Sequence, residues 1–402
     1  MTTAVFGAIA PGTDLPTHAR ELQRIHDAVL GGICPPARPR ALVARSWSRM
    51  LSLGLDPDGR NTREHLPASE IERLRHESPL SQVIDELRTV LTSVADASQF
   101  LMVVCDADGI VLWREGSARV RIVADQLGFV EGARWTEQVV GTNAIGTALA
   151  EQAPVELFSA EHFEHTQHPW YCTAAPVHDP RTGDLLGVVD VSGPALTLHP
   201  AIGSLVQSAV RLAEARLWRW HQNRLDQLRR ATEPLLGTRS GPLLVVDDHG
   251  WVAHHSGIAA RDRIEAPRAD RALAVPGMGL CLPERITDGW LVRPRDRASA
   301  ITARLDLTGE PMLEVQSDES SWRTSLTRRH AQILRALSEA GADGVTAAHL
   351  STVLFGDADH AVTVRAEISR LRRVVGALVT PNPYRLADGV TVTVTDADQP
   401  AW

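Results

Sequence analysis

Residues 100–113, FLMVVCDADGIVLW, decide the fold class of the N-terminal half of the chain. Two apolar runs, FLMVVC and IVLW, flank the polar sequence DADG, which is typical of a strand–turn–strand unit. A second such unit is predicted at residues 171–177 and 185–191, which the turn sequence DPRTGD joins. The order helix, hairpin, helix, hairpin, helix predicts an α+β domain with one antiparallel sheet between helices.

Helices are predicted around this sheet from apolar residues that recur at helical spacing. Four precede it: at residues 17–30, within RPRALVARSWSRMLSLGLDP at residues 38–57, a short one that opens at Pro67, and one that Ser78 caps and that continues to Leu91. One helix is predicted over about residues 136–151, and a long helix runs from His199 to about His221.

The C-terminal half begins with a second β-rich region and ends with helices. LLVVDDHGWVAHHSG and ITARLDLTGEPMLEVQ predict hairpins within residues 241–320, for which a PAS-like fold is one interpretation. Three helices follow, and then a hairpin formed by residues 381–386 and 390–394. Three helices followed by a hairpin are typical of a winged helix-turn-helix domain.

We therefore predict a multidomain α+β chain. Its predicted parts are an N-terminal helical segment at 1–76, a sensor domain at 77–222, a linker at 223–240, a small β-rich domain at 241–320 and a winged helix-turn-helix domain at 321–402.

Composition excludes several kinds of chemistry. The 402 residues carry a formal net charge of −8, and all 41 basic residues are arginine. Without lysine there is no P-loop lysine and no Schiff base, and a DNA-binding surface must be local. Four widely spaced cysteines, no signal peptide and no apolar run of about 18 residues predict a cytoplasmic protein outside the membrane.

The third C-terminal helix has the pattern of a DNA-recognition helix. Five apolar residues recur at intervals of four, three, four and three and so share one face: Val364, Ile368, Leu371, Val375 and Leu378. The opposite face is rich in arginine, which binds phosphates and guanine edges. The candidate DNA-binding residues are Thr363, Arg365, Ser369, Arg370, Arg372 and Arg373.

Two resemblances to known families extend this interpretation. Residues 325–395 resemble the winged-helix output domains of bacterial regulators. The stretches RPRALVARSWSRMLSLGLDP, WTEQVVGTNAIGTAL and PVELFSAEHFEHTQHPWYCTAAPVHDPRTGDLLGVVDVSG resemble the sensor region of acetoin-catabolism-type activators, which are sigma-54 enhancer-binding proteins. That resemblance implies a GAF domain that senses a small molecule. Residues 226–402 lack the Walker A and GAFTGA-type motifs of that family, so ATP hydrolysis and sigma-54 dependence are not implied.

Aromatic residues near the predicted sheet suggest an effector pocket for a small, mostly apolar molecule. The candidate ligand-binding residues are Trp113, Trp135, Asn143, Phe158, His162 and Trp170. For each of them singly, ordinary core packing is the simpler explanation.

Two further motifs receive a structural interpretation. GTNAIGT at residues 141–147 has P-loop glycine spacing but threonine in place of the lysine, so close helix packing is expected there. His162, His165, His168 and Cys172 form the densest donor cluster, but Pro169 interrupts any helix. We predict a polar loop and assign no metal, no cofactor and no catalytic residue.

The sequence therefore predicts a one-component transcriptional regulator that binds operator DNA and a small-molecule effector. A homodimer is expected on paired half-sites, and RNA polymerase is a further candidate partner. The alternatives are an interaction adaptor that does not bind DNA, a redox, metal or haem sensor using the same domain, and an enzyme using His162, Cys172 or His178.

Overall fold

The computed structural model describes residues 7–59, 64–92, 99–236, 241–294, 301–316, 321–381 and 383–396. The chain divides into two compact units, Met1–His221 and Gln222–Trp402. Within the described ranges, no helix is both long enough and apolar enough to cross a membrane.

The first unit contains a five-stranded antiparallel sheet, and with its helices it confirms the α+β class. The sheet has the order β2-β1-β5-β4-β3. Its strands are β1 (Leu101–Asp106), β2 (Val111–Gly116), β3 (Val155–Phe158), β4 (Trp170–His178) and β5 (Leu185–Pro194). The helices are α1 (Leu15–Leu30), α2 (Ala41–Leu53), α3 (Ala68–Glu77), α4 (Ile84–Thr92), α5 (Ala118–Gln126), α6 (Glu137–Val140), α7 (Ala144–Glu151) and α8 (Ile202–Leu236).

The predicted hairpin at residues 100–113 is confirmed as β1 and β2. Asp106 Oδ1 accepts hydrogen bonds from the amides of Asp108 (3.0 Å) and Ile110 (2.9 Å), which closes the turn. Gly109 has φ +77° and lies where a Cβ would meet Thr136 Cγ2 at 2.9 Å. Only glycine satisfies both the left-handed backbone and the close approach.

The single helix predicted over residues 136–151 is wrong, because α6 and α7 are separate. Gly141 has φ +76° and interrupts the helix. Asn143 then caps α7, with its Oδ1 accepting from the amide of Gly146 at 2.9 Å. The glycines of this motif allow close packing: a Cβ on Gly141 would meet Phe163, and one on Gly146 would meet the backbone of Glu137. Helix α5 and strand β3 were not predicted.

The N-terminal helices belong to the same core as the sheet. Val43, Trp47 and Met50 of α2 are each 1% exposed and lie in one apolar cluster with the residues of β1 and β5. The Trp47 indole also donates to the carbonyl of Glu161 at 3.1 Å. Helices α1 and α2 therefore pack in one core with the sheet, which differs from the predicted division between a segment at 1–76 and the sensor domain.

In the second unit, the predicted linker at 223–240 is replaced by helix as far as Leu236. Leu228 on this part of α8 packs against Leu243, Val245 and Leu291. These belong to a second sheet of order β7-β6-β10-β9-β8. Its strands are β6 (Leu243–Val246), β7 (Val252–Ser256), β8 (Leu273–Val275), β9 (Gly279–Ile286) and β10 (Gly289–Pro294). Residues 237–240 lie outside the described residues.

A third sheet crosses the predicted boundary between residues 320 and 321. It contains β11 (Ile301–Asp306), β12 (Met312–Gln316), β13 (Ser321–Ser325) and β16 (Val390–Thr395) in the order β13-β12-β11-β16. Strand β16 pairs in parallel with β11 along its whole length. The hairpin predicted between residues 381–386 and 390–394 is therefore wrong. The hairpin that forms instead joins β14 (Val379–Thr380) to β15 (Arg385–Leu386).

The three predicted C-terminal helices are confirmed as α9 (Arg328–Ala340), α10 (Ala347–Phe355) and α11 (Ala361–Val375). Thr327 caps α9 and Thr346 caps α10, because each side chain accepts a hydrogen bond from an amide in the first turn. Gly356 ends α10 with φ +87°.

Candidate DNA-binding surface and effector cavity

Helix α11 has one buried apolar face and one exposed basic face. Val364, Ile368, Leu371 and Val375 are at most 2% exposed and pack in the core that α9 and α10 share. The predicted stripe is thus present from Val364 to Val375 and fixes the rotation of the helix. Its fifth predicted member, Leu378, is buried but lies beyond the end of α11, because the helix ends before Gly376. Thr363, Arg365, Ser369, Arg370 and Arg373 are all exposed, and Arg372 is half-buried.

The arginines of this face differ in how they are paired. Arg370 Nη1 donates to Glu367 Oε1 at 2.6 Å, so its charge is partly neutralised. Glu367 is 8% exposed and also lies 3.5 Å from His330 Nε2. Among the residues that the structure describes, neither Arg365 nor Arg373 has an ion-pair partner. These two side chains are therefore available to an anionic ligand.

The main chain at Arg372 contacts another segment of the second unit. Its carbonyl accepts a hydrogen bond from Arg271 Nη2 at 3.3 Å, and a parallel bridge joins Ala272 to Gly376. The end of α11 is thereby held against the segment around residue 271. This contact involves the main chain of Arg372, and its side chain is half-buried.

The first unit contains a narrow cavity beside strands β4 and β5. The residues that line it are Leu127, Phe129, Trp135, Asn143, Ala144, Ile145, Gln167, Trp170, Cys172, Asp190 and Ser192. The centre of a water molecule can occupy about 10 Å³ of it, which is near the minimum for one water. A larger ligand therefore requires the lining side chains to move.

Three of the six predicted ligand residues lie at this cavity: Trp135, Asn143 and Trp170. The other three do not line it. Trp113 packs under the guanidinium of Arg75, 5.9 Å from the ring centre, and the buried Phe158 stacks on His18 with ring centres 5.7 Å apart.

His162 is wholly buried outside the cavity lining. Its Nδ1 lies 2.9 Å from the carbonyl of Ser159, and burial lowers its pKa to about 4. The ring is therefore neutral over the physiological range, and it is held by the backbone of its own loop.

The polar end of the cavity is a group that the sequence reasoning missed. Asp190 is 0% exposed, and Ser192 Oγ lies 2.5 Å from its Oδ2 and 3.0 Å from Cys172 Sγ. In the described part of the chain, Asp190 Oδ1 has no hydrogen-bond partner. Burial raises the pKa of this carboxyl to about 7. The sequence feature that could have revealed this group is an acidic residue, Asp190, within the apolar run VVDVSG.

Cys172 does not have the environment of a reactive thiol. Burial raises the pKa of its thiol, and the nearby Asp190 raises it further. Reactive cysteines require the thiolate, which cationic surroundings stabilise. The surroundings of Cys172 favour the neutral thiol.

Comparisons with known proteins identify the N-terminal part of the chain. Residues 16–214 match the family model described as "MimR, N-terminal domain". An uncharacterized 47.3 kDa protein in the thcA 5′ region of Rhodococcus erythropolis is 32% identical over 397 residues, which are 97% of this chain and 74% of that protein.

Two relatives with described roles share about half of the chain. The acetoin dehydrogenase operon transcriptional activator AcoR of Bacillus subtilis is 34% identical over 49% of this chain and 33% of its own length. The propane 2-monooxygenase operon transcriptional activator MimR of Mycolicibacterium smegmatis is 31% identical over 51% of this chain and 34% of its own length. The chain thus spans about a third of the length of these two activators.

Proposed function

The chain belongs to the same family as the Rhodococcus erythropolis protein, and from that premise we propose how it regulates transcription. It is a transcriptional regulator with an N-terminal sensor region. In our proposal, α11 is the recognition helix of a winged helix-turn-helix domain, and a GAF-type sensor binds a small organic effector in the cavity at Asp190.

The DNA-binding proposal rests on one observation: Arg365 and Arg373 have no ion-pair partner among the described residues. Both are exposed on α11, Arg373 opposite the buried stripe and Arg365 beside it, and neither is neutralised by a described acid. A helix held by two capped helices and presenting unpaired arginines fits a major groove, where arginine contacts phosphates and guanine.

The test measures operator affinity at several salt concentrations, using fragments that the full chain captures from genomic DNA. Arg373→Ala and Arg365→Ala are each expected to weaken binding by about 1–3 kcal/mol if the side chain reads a base, or to lower the salt slope by about one if it contacts a phosphate. Arg335→Ala on α9 is the control, because Arg335 already pairs with Glu339 and Asp396.

Unchanged affinity and salt slope in both α11 variants would contradict the recognition-helix assignment. It would favour an adaptor whose helical domain binds protein.

The effector proposal rests on the cavity having apolar walls and one polar end. Trp135 and Trp170 supply aromatic surface, and Asp190 Oδ1 is a buried oxygen without a described partner. A hydroxyl can donate to this oxygen when the carboxyl is ionised and accept from it when the carboxyl is protonated. Small uncharged molecules that carry a hydroxyl are therefore the preferred class.

A thermal-shift screen of alcohols, diols, ketones and small aromatics on the full chain tests this proposal. A true effector raises the melting temperature, and at a hundredfold excess over Kd it adds about 2.7 kcal/mol to the stability. It must also change operator affinity, which requires different affinities for two conformations. A compound that stabilises the chain equally in Trp170→Ala would contradict the assigned cavity.

We also propose that the regulator acts as a cytoplasmic homodimer on paired half-sites, contacts RNA polymerase and has no enzymatic activity of its own. Paired half-sites follow from the two-fold symmetry of a dimer. Sedimentation of the full chain with and without operator DNA distinguishes one chain from two on each site.

A further inference from the structure

Three potential metal ligands from distant parts of the chain meet at the surface of the first unit. His26 and Asp27 lie on α1, and His165 begins a short 3-10 helix at His165–Gln167. One ligand atom from each of the three lies within 4.8 Å of the other two. No part of the proposed regulatory function uses this cluster.

The hydrogen bonds of His26 determine which ring nitrogen is free. His26 Nε2 lies 3.0 Å from the carbonyl of Phe163, and a carbonyl can only accept, so Nε2 carries the proton. The Nδ1 lone pair of His26 therefore faces Asp27 Oδ1 at 3.4 Å. Two acceptors at this distance repel one another unless a cation lies between them.

His165 is arranged like His26, but the roles of its two ring nitrogens are exchanged. Its Nδ1 lies 2.8 Å from Asp58 Oδ1, so Nδ1–H donates to that carboxylate. Its Nε2 lies 3.8 Å from Asp27 Oδ1. Both histidines thus donate one N–H to an oxygen outside the cluster and direct the other nitrogen to Asp27. Metal-binding histidines have this outer hydrogen bond in almost every case.

The carboxylate of Asp27 is itself positioned. Gln23 Nε2 donates to Asp27 Oδ1 at 2.7 Å, and Gln23 Oε1 lies 2.7 Å from His168 Nδ1. The His168 ring is 4.7 Å from that of His26, and its Nε2 is buried without a partner among the described residues. The surroundings therefore supply a further imidazole beside the cluster.

We propose that His26 Nδ1, His165 Nε2 and Asp27 bind one divalent transition-metal ion. Two imidazoles and one carboxylate suit zinc and similar ions, whereas calcium and magnesium prefer oxygen ligands alone. Ligands about 2.0–2.1 Å from a tetrahedral ion lie roughly 3.3 Å apart. The separations of 3.4 and 3.8 Å from Asp27 Oδ1 are close to this value, and the two histidine nitrogens lie within 4.8 Å of one another. The side chain of His165 is 38% exposed and can rotate toward the other two ligands.

Binding would join α1 to the loop that borders the effector cavity, because Gln167, two residues after His165, lines that cavity. The ion would cross-link segments 138 residues apart in the chain. We therefore expect metal to raise the melting temperature of the full chain.

The test uses the full chain after removal of metal with a chelator. Zinc binding is followed by calorimetry, and cobalt binding by the visible absorption of the ion. We expect one ion per chain, and a cobalt spectrum that shows an ion with a low coordination number. Asp27→Asn and His165→Gln should each weaken binding at least tenfold and abolish the rise in melting temperature. Both side chains are partly exposed, so the fold should persist.

His178→Gln is the matched control, since His178 lies in the same unit and pairs with Glu214 at 3.7 Å outside the cluster. Asp58→Ala should weaken binding by about 10–100-fold and change the cobalt spectrum, because it removes only the outer hydrogen bond. The proposal is overturned if the chain binds no zinc, or if Asp27→Asn and His165→Gln bind it as tightly as His178→Gln.

Discussion

Ser192 Oγ donates to Asp190 Oδ2 at 2.5 Å in the middle of an otherwise apolar strand. Ser192 Oγ also lies 3.0 Å from Cys172 Sγ, and the shorter of its two contacts is the one with Asp190. This chain of hydrogen bonds satisfies one carboxyl oxygen and leaves the other at the cavity. The polar end of the effector cavity is thus fixed by packing within the sheet.

The raised pKa of Asp190 predicts a pH-dependent stability. Its pKa is about 7 in the folded chain against an ordinary 3.8, so between these values the folded state holds a proton that the unfolded state has lost. Stability must then fall as pH rises from about 4 to about 7, by roughly 1.4 kcal/mol per unit. Asp190→Asn removes this pH-dependent contribution, so the stability of the variant relative to the wild type should increase with pH.

Urea unfolding of both chains at several pH values measures the effect. Asp184→Asn is the control, because Asp184 is exposed and lies near the start of the same strand. Parallel curves for wild type and Asp190→Asn would show that Asp190 titrates as an ordinary carboxyl.

Glu367 is predicted to weaken DNA binding through Arg370. The carboxylate neutralises the Arg370 guanidinium on the exposed side of α11. Glu367→Gln keeps the size of the side chain and removes its charge. We expect tighter binding to any DNA and a salt slope that increases by about one. Affinity measured on non-specific duplex at several salt concentrations checks this, and a lower affinity would mean that the ion pair orders the helix for binding.

Trp47 is predicted to hold α2 in the core of the first unit. It is 1% exposed and bonded to the Glu161 carbonyl. Trp47→Ala should lower the free energy of unfolding by about 3–5 kcal/mol. Leu51→Ala on the same helix should cost less than about 0.5 kcal/mol, since Leu51 is 44% exposed. Thermal and urea unfolding measure both variants. If Trp47→Ala and Leu51→Ala lower the stability equally, α2 is not part of this core.

Gly356 and Gly376 flank α11 and both have positive φ, +87° with ψ −7° and +64° with ψ −137°. Alanine at either position should cost about 1–3 kcal/mol for the strained backbone conformation. At Gly376 the added Cβ would also overlap the carbonyl oxygen of Ala272, whereas at Gly356 it meets nothing within 4 Å. Gly376→Ala should therefore be the more destabilising in urea unfolding, and equal losses would argue against the contact at Ala272.

The sequence alone determined the elements whose signal is local. The stripe from Val364 to Val375 sets both the existence and the rotation of α11, because helical periodicity is a property of neighbouring residues. The turn at Asp106 to Gly109 is specified by its own side chain and its own glycine. Sequence resemblance also identified the sensor region that the family model matches.

The tertiary structure alone decided which distant residues meet. Strand β16 pairs with β11 instead of with its neighbour in the chain, and no local pattern encodes a partner about 90 residues away. Phe158 and Trp135 look alike as aromatic candidates, yet only Trp135 lies at the cavity. The sequence grouped His165 with the other donors of its own loop, whereas the structure brings it together with His26 and Asp27. Its partners His26 and Asp27 come from α1, because burial of the apolar face of that helix brings them there.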